Sequence, residues 1–109
     1  MPEGPDARIL RTLGLALRGG HAVVGTRAVR DAAAGGELEV VVLAGDASGN
    51  AEDRVRSVLS DPEVRTVRCA DGASLGRALG RGRVVVAGVT HPGLARKLTD
   101  GAEAGSGAE

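Results

Sequence analysis

Two uninterrupted apolar runs constrain this chain more than any other feature: Val40-Val41-Val42-Leu43 and Val84-Val85-Val86-Ala87. A strand with one wet face alternates apolar and polar residues, whereas an unbroken run belongs in a strand covered on both faces. Two such strands in one chain require cover on both sides of a sheet, and the amphipathic segments around them have the spacing to supply it as helices.

The order of elements follows from caps, breakers and periodicity. Asp6 is placed to cap a first helix running to Arg18, with Ile9, Leu10, Leu13 and Leu17 as its apolar stripe and Gly19-Gly20 as its stop. His21–Val24 reads as a short strand. Gly25-Thr26 opens a second helix with Val29, Ala32 and Ala33 inward, halted at Gly35-Gly36. Leu38–Ala44 carries the first apolar run. Residues 45–49 make a turn in which Asp46 is expected to satisfy its own backbone and Ser48 to cap a third helix. That helix turns Val55, Val58 and Leu59 to the core and breaks at Asp61-Pro62. Val64–Cys69 is interrupted by Arg65 and Arg68, which suits an edge strand. Asp71-Gly72 leads into a short helix bearing Leu75, Ala78 and Leu79; Arg81-Gly82-Arg83 is a loop, and Val84–Val89 is the second covered strand. Thr90 is expected to cap a last helix, with Leu94 and Leu98 on one face and Arg96 and Lys97 near its negative end. Strands alternating with helices predict an α/β protein built as a three-layer α/β/α sandwich. The expected division is a flexible leader over 1–5, one domain over 6–100 and a disordered tail over 101–109.

Composition narrows the function. The 109 residues include no Phe, Trp or Tyr, so the core must be aliphatic and base stacking on aromatic platforms is impossible. The 14 basic and 14 acidic residues cancel, but Asp100, Glu103 and Glu109 lie in or beside the tail and leave the rest mildly basic. Thirteen of the cations are Arg, the side chain suited to planar recognition of phosphates and base edges, although compositional bias accounts for most of them. Cys69 is alone, so no internal disulfide can form and a cytoplasmic setting is favoured. No apolar run approaches the ~18 residues of a membrane span, and the N-terminus lacks a basic-then-apolar secretory pattern.

Other chemistries lack their motifs. Pro2-Glu3-Gly4-Pro5 is similar to the start of a DNA-glycosylase family with an N-terminal proline amine, but the chain is too short for that fold and has no zinc-finger cysteine set. There is no Walker Gly-Lys pair and no Gly-x-Ser-x-Gly elbow. His21, His91, Asp46 and Cys69 match no ligand spacing, so no catalytic residue, metal or cofactor is assigned. Cys69 reads as a small packed hydrophobe, His21 as a half-exposed strand residue and His91 as a solvent-facing residue in the first turn of the last helix.

Five collinear phrases carry a family resemblance: Leu13-Gly14-Leu15-Ala16, Val23-Val24-Gly25, the stretch Val41-Val42-Leu43-Ala44-Gly45-Asp46-Ala47-Ser48, Leu75-Gly76-Arg77-Ala78-Leu79-Gly80, and Val84-Val85-Val86-Ala87-Gly88-Val89-Thr90 followed by Pro92-Gly93. Over residues 9 to 100 the chain resembles the L7Ae family of ribosomal proteins, including its small bacterial YlxQ-type members. The resemblance implies a four-stranded mixed sheet and binding to kink-turn RNA, a helix bent sharply at a bulge beside tandem G·A pairs. The expected protein is a monomeric, structured-RNA-binding one associated with ribosomes or RNA processing, and not an enzyme, since no acid–base or nucleophile constellation is present. A protein-interaction module on the same fold is the alternative.

The resemblance also assigns a site. In the family, the second helix presents its N-terminus at the kink with the pattern Gly, small residue, Asn, Glu, two variable residues, Lys. Here those positions hold Gly25, Thr26, Arg27, Ala28, Val29, Arg30 and Asp31. Ala28 cannot accept from guanine edges as a Glu could, and Asp31 puts an anion where the family has a cation. Arg27 retains donors for guanine or phosphate, and Arg30 can replace the missing charge. The second implied contact is the loop before the last strand, Arg81-Gly82-Arg83-Val84, with two cations around a glycine. The expected RNA-binding residues are therefore Gly25, Thr26, Arg27, Arg30, Arg81, Gly82, Arg83 and Val84.

Overall fold

A computed structural model describes residues 5–59 and 63–106. The elements run α1 (Pro5–Arg18), β1 (Ala22–Val24), α2 (Thr26–Ala34), β2 (Val40–Ala44), α3 (Gly49–Val58), β3 (Arg65–Cys69), α4 (Gly72–Ala78), β4 (Val86–Val89) and α5 (Pro92–Ser106). They form one four-stranded mixed sheet in the order β1-β4-β2-β3. β4 runs antiparallel to both β1 and β2, and β2 runs parallel to β3.

The apolar run of β2 is buried at all five positions, and its alternate residues enter two different cores. Val40, Val42 and Ala44 pack with Ile9, Leu13 and Ala16 of α1, Leu75 of α4, and Ala95 and Leu98 of α5. Val41 and Leu43 pack with Val29 and Ala32 of α2 and Val55 of α3. The sheet is thus sandwiched between α1, α4 and α5 on one face and α2 and α3 on the other. β3 lies at an edge, with Arg65, Thr66 and Arg68 exposed and only Val67 and Cys69 buried, which is the pattern that keeps an edge from pairing with another chain.

Helix ends follow the glycine signals. His21 N–H donates to Ala16 O at 2.7 Å and Gly20 N–H to Leu17 O at 3.1 Å, the paired bonds that close α1. Glu37 N–H to Ala32 O and Gly36 N–H to Ala33 O close α2 in the same way. Ser48 caps α3, its hydroxyl accepting from Ala51 N–H at 3.1 Å.

Several expectations are corrected. Asp6 lies inside the first turn of α1, and its carboxylate accepts from Ala70 N–H at 3.2 Å, tying the helix to the β3–α4 turn. The last strand begins at Val86, because Val84 N–H donates to Gly72 O at 2.9 Å instead of joining a strand ladder. Thr90 does not cap α5: its hydroxyl donates to His21 O, and His91 Nδ1 accepts Leu94 N–H at 3.2 Å in its place. The rings of His91 and His21 lie 4.8 Å apart, so these two histidines meet across the start of α5. Val58 is only half-buried. Helical backbone continues past Gly101 to Ser106, where the sequence suggested a disordered tail; Ala102, Glu103 and Ala104 are good helix formers. The leader 1–4, the Asp61-Pro62 breaker and residues 107–109 lie outside the described residues.

Candidate nucleic-acid interface

One end of the sheet gathers the carboxyl ends of β1, β2 and β3 and the amino end of β4. A belt of backbone hydrogen bonds closes it. Gly25 N–H donates to Val86 O at 2.9 Å, Ala44 N–H to Val85 O at 2.8 Å, and Gly45 N–H to Ala70 O at 2.9 Å. The first of these bonds sets the N-terminus of α2 beside the start of β4, and so beside the Arg81–Val84 loop that feeds it. The two sequence-predicted segments, far apart in the chain, therefore share one end of the molecule.

The helix N-termini at this end differ chemically. Ser48 caps α3, and Asp71 Oδ1 accepts Ser74 N–H at 2.8 Å at the start of α4. That backbone bond holds the Asp71 carboxyl below its ordinary range. α2 has Gly25 at its N-cap, at φ 96° and ψ 157°, with no side-chain cap. This backbone geometry suits only glycine. The first amides of α2, from Thr26 onward, form the positive end of a helix dipole with no carboxylate in the first turn to offset it. Thr26, Arg27 and Arg30 are exposed, and Ala28 is half-buried. Arg30 Nε approaches Asp31 Oδ1 at 4.0 Å, a solvent-exposed pair that removes little of its charge.

The Arg81–Val84 loop is pinned to α4 at both ends. Arg81 N–H donates to Gly76 O at 2.8 Å and Val84 N–H to Gly72 O, so both ends of the loop are fastened to α4. The approach is close: a Cβ on Gly76 would lie 1.9 Å from Gly82 O. Arg81, Gly82 and Arg83 are exposed, whereas Val84 is 5% exposed and belongs to the core beneath α1, α4 and α5. The Val84 side chain is therefore not available to a ligand; its half-buried neighbour Val85 lies nearer the surface.

Sequence reasoning missed Asp46. Its Oδ1 accepts Gly72 N–H at 2.9 Å and its Oδ2 pairs with Arg83 Nη2 at 3.3 Å. The carboxylate thus links the β2–α3 turn to α4 and to the candidate loop, where a bond within its own turn was expected. Nearby, Arg68 pairs with Glu52 and donates to Gly45 O, and the hydrogen bond from Arg68 holds the Glu52 carboxyl below its ordinary range. Burial, and then the proximity of Asp6, push the Cys69 thiol up to about 12, which makes it inert, as a packed residue should be. Among the described residues no group of three or more His, Cys, Asp or Glu side chains could hold a metal ion, and no helix is long and apolar enough to cross a membrane.

Fold and site define a small α/β/α domain whose one sheet end brings together a helix N-terminus without a side-chain cap and an arginine loop fastened to α4. Comparison with known proteins gives the family. The profile of the ribosomal protein L7Ae/L30e/S12e/Gadd45 family matches residues 7–99, and the chain belongs to that family. A protein of unknown function from Bacillus halodurans C is 30% identical, with 89% of this chain and 98% of that one covered at a TM-score of 0.77. The Giardia lamblia 15.5kD RNA binding protein shares the fold at a TM-score of 0.74 and 19% identity, over 98% of this chain and 92% of that one. A search of curated protein sequences finds no match.

Proposed function

We propose that this protein binds structured RNA of the kink-turn type through the sheet end formed by Gly25, Thr26, Arg27 and Arg30 with Arg81, Gly82 and Arg83. It acts as a monomeric cytoplasmic protein associated with ribosomes or RNA processing. The observation that carries this reading is the juxtaposition of the uncapped α2 N-terminus with the pinned arginine loop. Helix N-termini bind phosphate through free amides and the dipole, and Arg adds bidentate contacts. Family membership and the RNA-binding neighbour from Giardia lamblia support the same reading. The contribution of Val84 is limited to its backbone.

A second reading, a protein-interaction module on the same fold, is favoured by Ala28 and Asp31, which remove a guanine-reading carboxylate and reverse a charge. Titration of wild type, Arg27→Ala and Ala28→Glu against a kink-turn RNA and its G·A-disrupted mutant, at two salt concentrations, separates the two. RNA binding predicts salt-dependent affinity, with Arg27→Ala lowering the salt slope by about one unit. Wild type should discriminate poorly between the two RNAs, and Ala28→Glu should improve discrimination by about 1–3 kcal/mol. Absence of binding to both RNAs, with Arg27→Ala silent, favours the protein-interaction reading.

A further inference from the structure

Arg83 is held in a way that its exposure alone does not require. Its side chain lies across the first residue of α4: a Cβ on Gly72 would stand 2.8 Å from Arg83 Cγ and 2.9 Å from Arg83 Nε. Asp46 then fixes the end of the side chain through Oδ2, while its own Oδ1 is anchored independently by Gly72 N–H. The backbone on the C-terminal side is fixed as well, because Val84 N–H bonds to Gly72 O. Stem, tip and backbone of one arginine are all referred to the same glycine.

Such a clamp contributes little to folding. The pair is solvent-accessible, with side chains 62% and 44% exposed, and exposed ion pairs add little to stability. It does restrict orientation. A guanidinium has five N–H donors, and one nitrogen at 3.3 Å from Asp46 leaves most of them directed elsewhere. Arg is among the most rotamer-rich side chains, so holding it before a ligand arrives removes an entropic cost from binding.

We propose that Asp46 is a positioning residue for RNA binding: with Gly72 it pre-orients the Arg83 guanidinium so that its remaining donors meet an RNA phosphate or base edge. The inference rests on the RNA-binding reading above. The negative charge of Asp46 would by itself repel a phosphate. At the N-terminus of α4, and paired with Arg83, that charge is offset, so the ordering effect prevails over the repulsion.

The test is a double-mutant cycle on kink-turn RNA affinity with the full chain. Asp46→Asn should weaken binding about three- to tenfold, the range for immobilising one rotamer-rich side chain. In the Arg83→Ala background the same change should leave affinity unchanged or raise it, because only repulsion remains to be removed. Gly72→Ala, which displaces the arginine stem and presses on Val84 O at 3.2 Å without altering any charge, should weaken binding in the wild-type background and not in Arg83→Ala. Melting temperatures establish that each variant is folded, and ¹⁵N relaxation of Arg83 Nε–H reads the clamp without RNA. That group should be ordered in wild type and mobile in Asp46→Asn. Stronger binding by Asp46→Asn, equal losses in both backgrounds, or a mobile Arg83 in wild type would each overturn the proposal while leaving the RNA-binding reading intact. A wild-type chain that binds no RNA overturns both.

Discussion

Substituting Gly76 by alanine should destabilise the domain even though it replaces a helical glycine by the best helix former. Propensity alone favours the change by about 1 kcal/mol. The added methyl, however, would lie 1.9 Å from Gly82 O, 2.7 Å from its carbon and 3.0 Å from Arg81 O. All three contacts are backbone, so no side chain can swing aside. The loop must retreat by more than about 1 Å to restore van der Waals separation. That retreat strains or breaks the bonds from Arg81 N–H to Gly76 O and from Val84 N–H to Gly72 O, each worth about 1 kcal/mol net. Overpacking adds roughly 1–3 kcal/mol. After subtracting the propensity gain, a net loss of about 2–4 kcal/mol is expected where both bonds are lost, and a domain this size loses about 4–8 °C in melting temperature per kcal/mol. Gly82→Ala is the matched control. A Cβ there meets nothing within 4 Å and the residue has no positive φ, so it should be neutral or gain about 0.4–1 kcal/mol. Urea denaturation of both variants, followed by far-UV circular dichroism because the chain has no aromatic fluorophore, measures the pair. A neutral or stabilising Gly76→Ala would refute the pinned loop.

Further outcomes are expected. Leu43→Ala, at a fully buried position between sheet and helices, should cost about 2–5 kcal/mol in the same assay, and a loss below about 1 kcal/mol would contradict two-sided burial of β2. Ser48→Ala should cost about 1 kcal/mol through loss of the α3 cap, while Ser48→Gly costs only a few tenths. Asp71 and Glu52 have depressed carboxyls, so the stability they confer is present above an unfolded value near ~4 and is lost as pH falls through the lower folded values. Asp71→Asn keeps a capping oxygen and should flatten that acid-side decline without changing neutral-pH stability, as seen in denaturation curves at stepped pH. Cys69, buried and with its thiol at about 12, should react with a thiol reagent at neutral pH only as fast as the domain opens, so a rapid stoichiometric reaction of native protein would contradict its burial.

The fold was largely legible because its strongest signals are local. Unbroken valine runs announce a doubly covered sheet, Gly19-Gly20 and Gly35-Gly36 stop two helices, and Ser48 sits where a cap must be. Arg65 and Arg68 marked the edge strand correctly. The errors occur where a residue's partner is distant in sequence. Asp46 reaches Gly72 and Arg83, Asp6 reaches Ala70, and Val84 spends its N–H on Gly72, none of which periodicity can reveal. His91 displaced Thr90 as the α5 cap because the Thr90 hydroxyl had already found His21 O. The candidate site was legible as two segments, and their placement at one end of the sheet depends on strand order, which residue patterns alone did not fix. The clamp on Arg83 left no trace in the sequence beyond the glycine at 72.

The strand order also governs when the interface comes into being. β1, the first strand in the chain, sits at the sheet edge with β4, the last strand, as its neighbour, and β4 is also what joins β1 to β2. The chain up to the end of β3 can therefore make helices and a β2–β3 pair but holds no strand for β1 to pair with. Such long-range pairing is slow to form, since closing the intervening chain precedes any gain from contact. Gly25 cannot reach Val86 O until that closure has occurred. The uncapped helix end and the arginine loop consequently become one surface only once β4 has joined the sheet, and a chain without β4 holds the two segments apart.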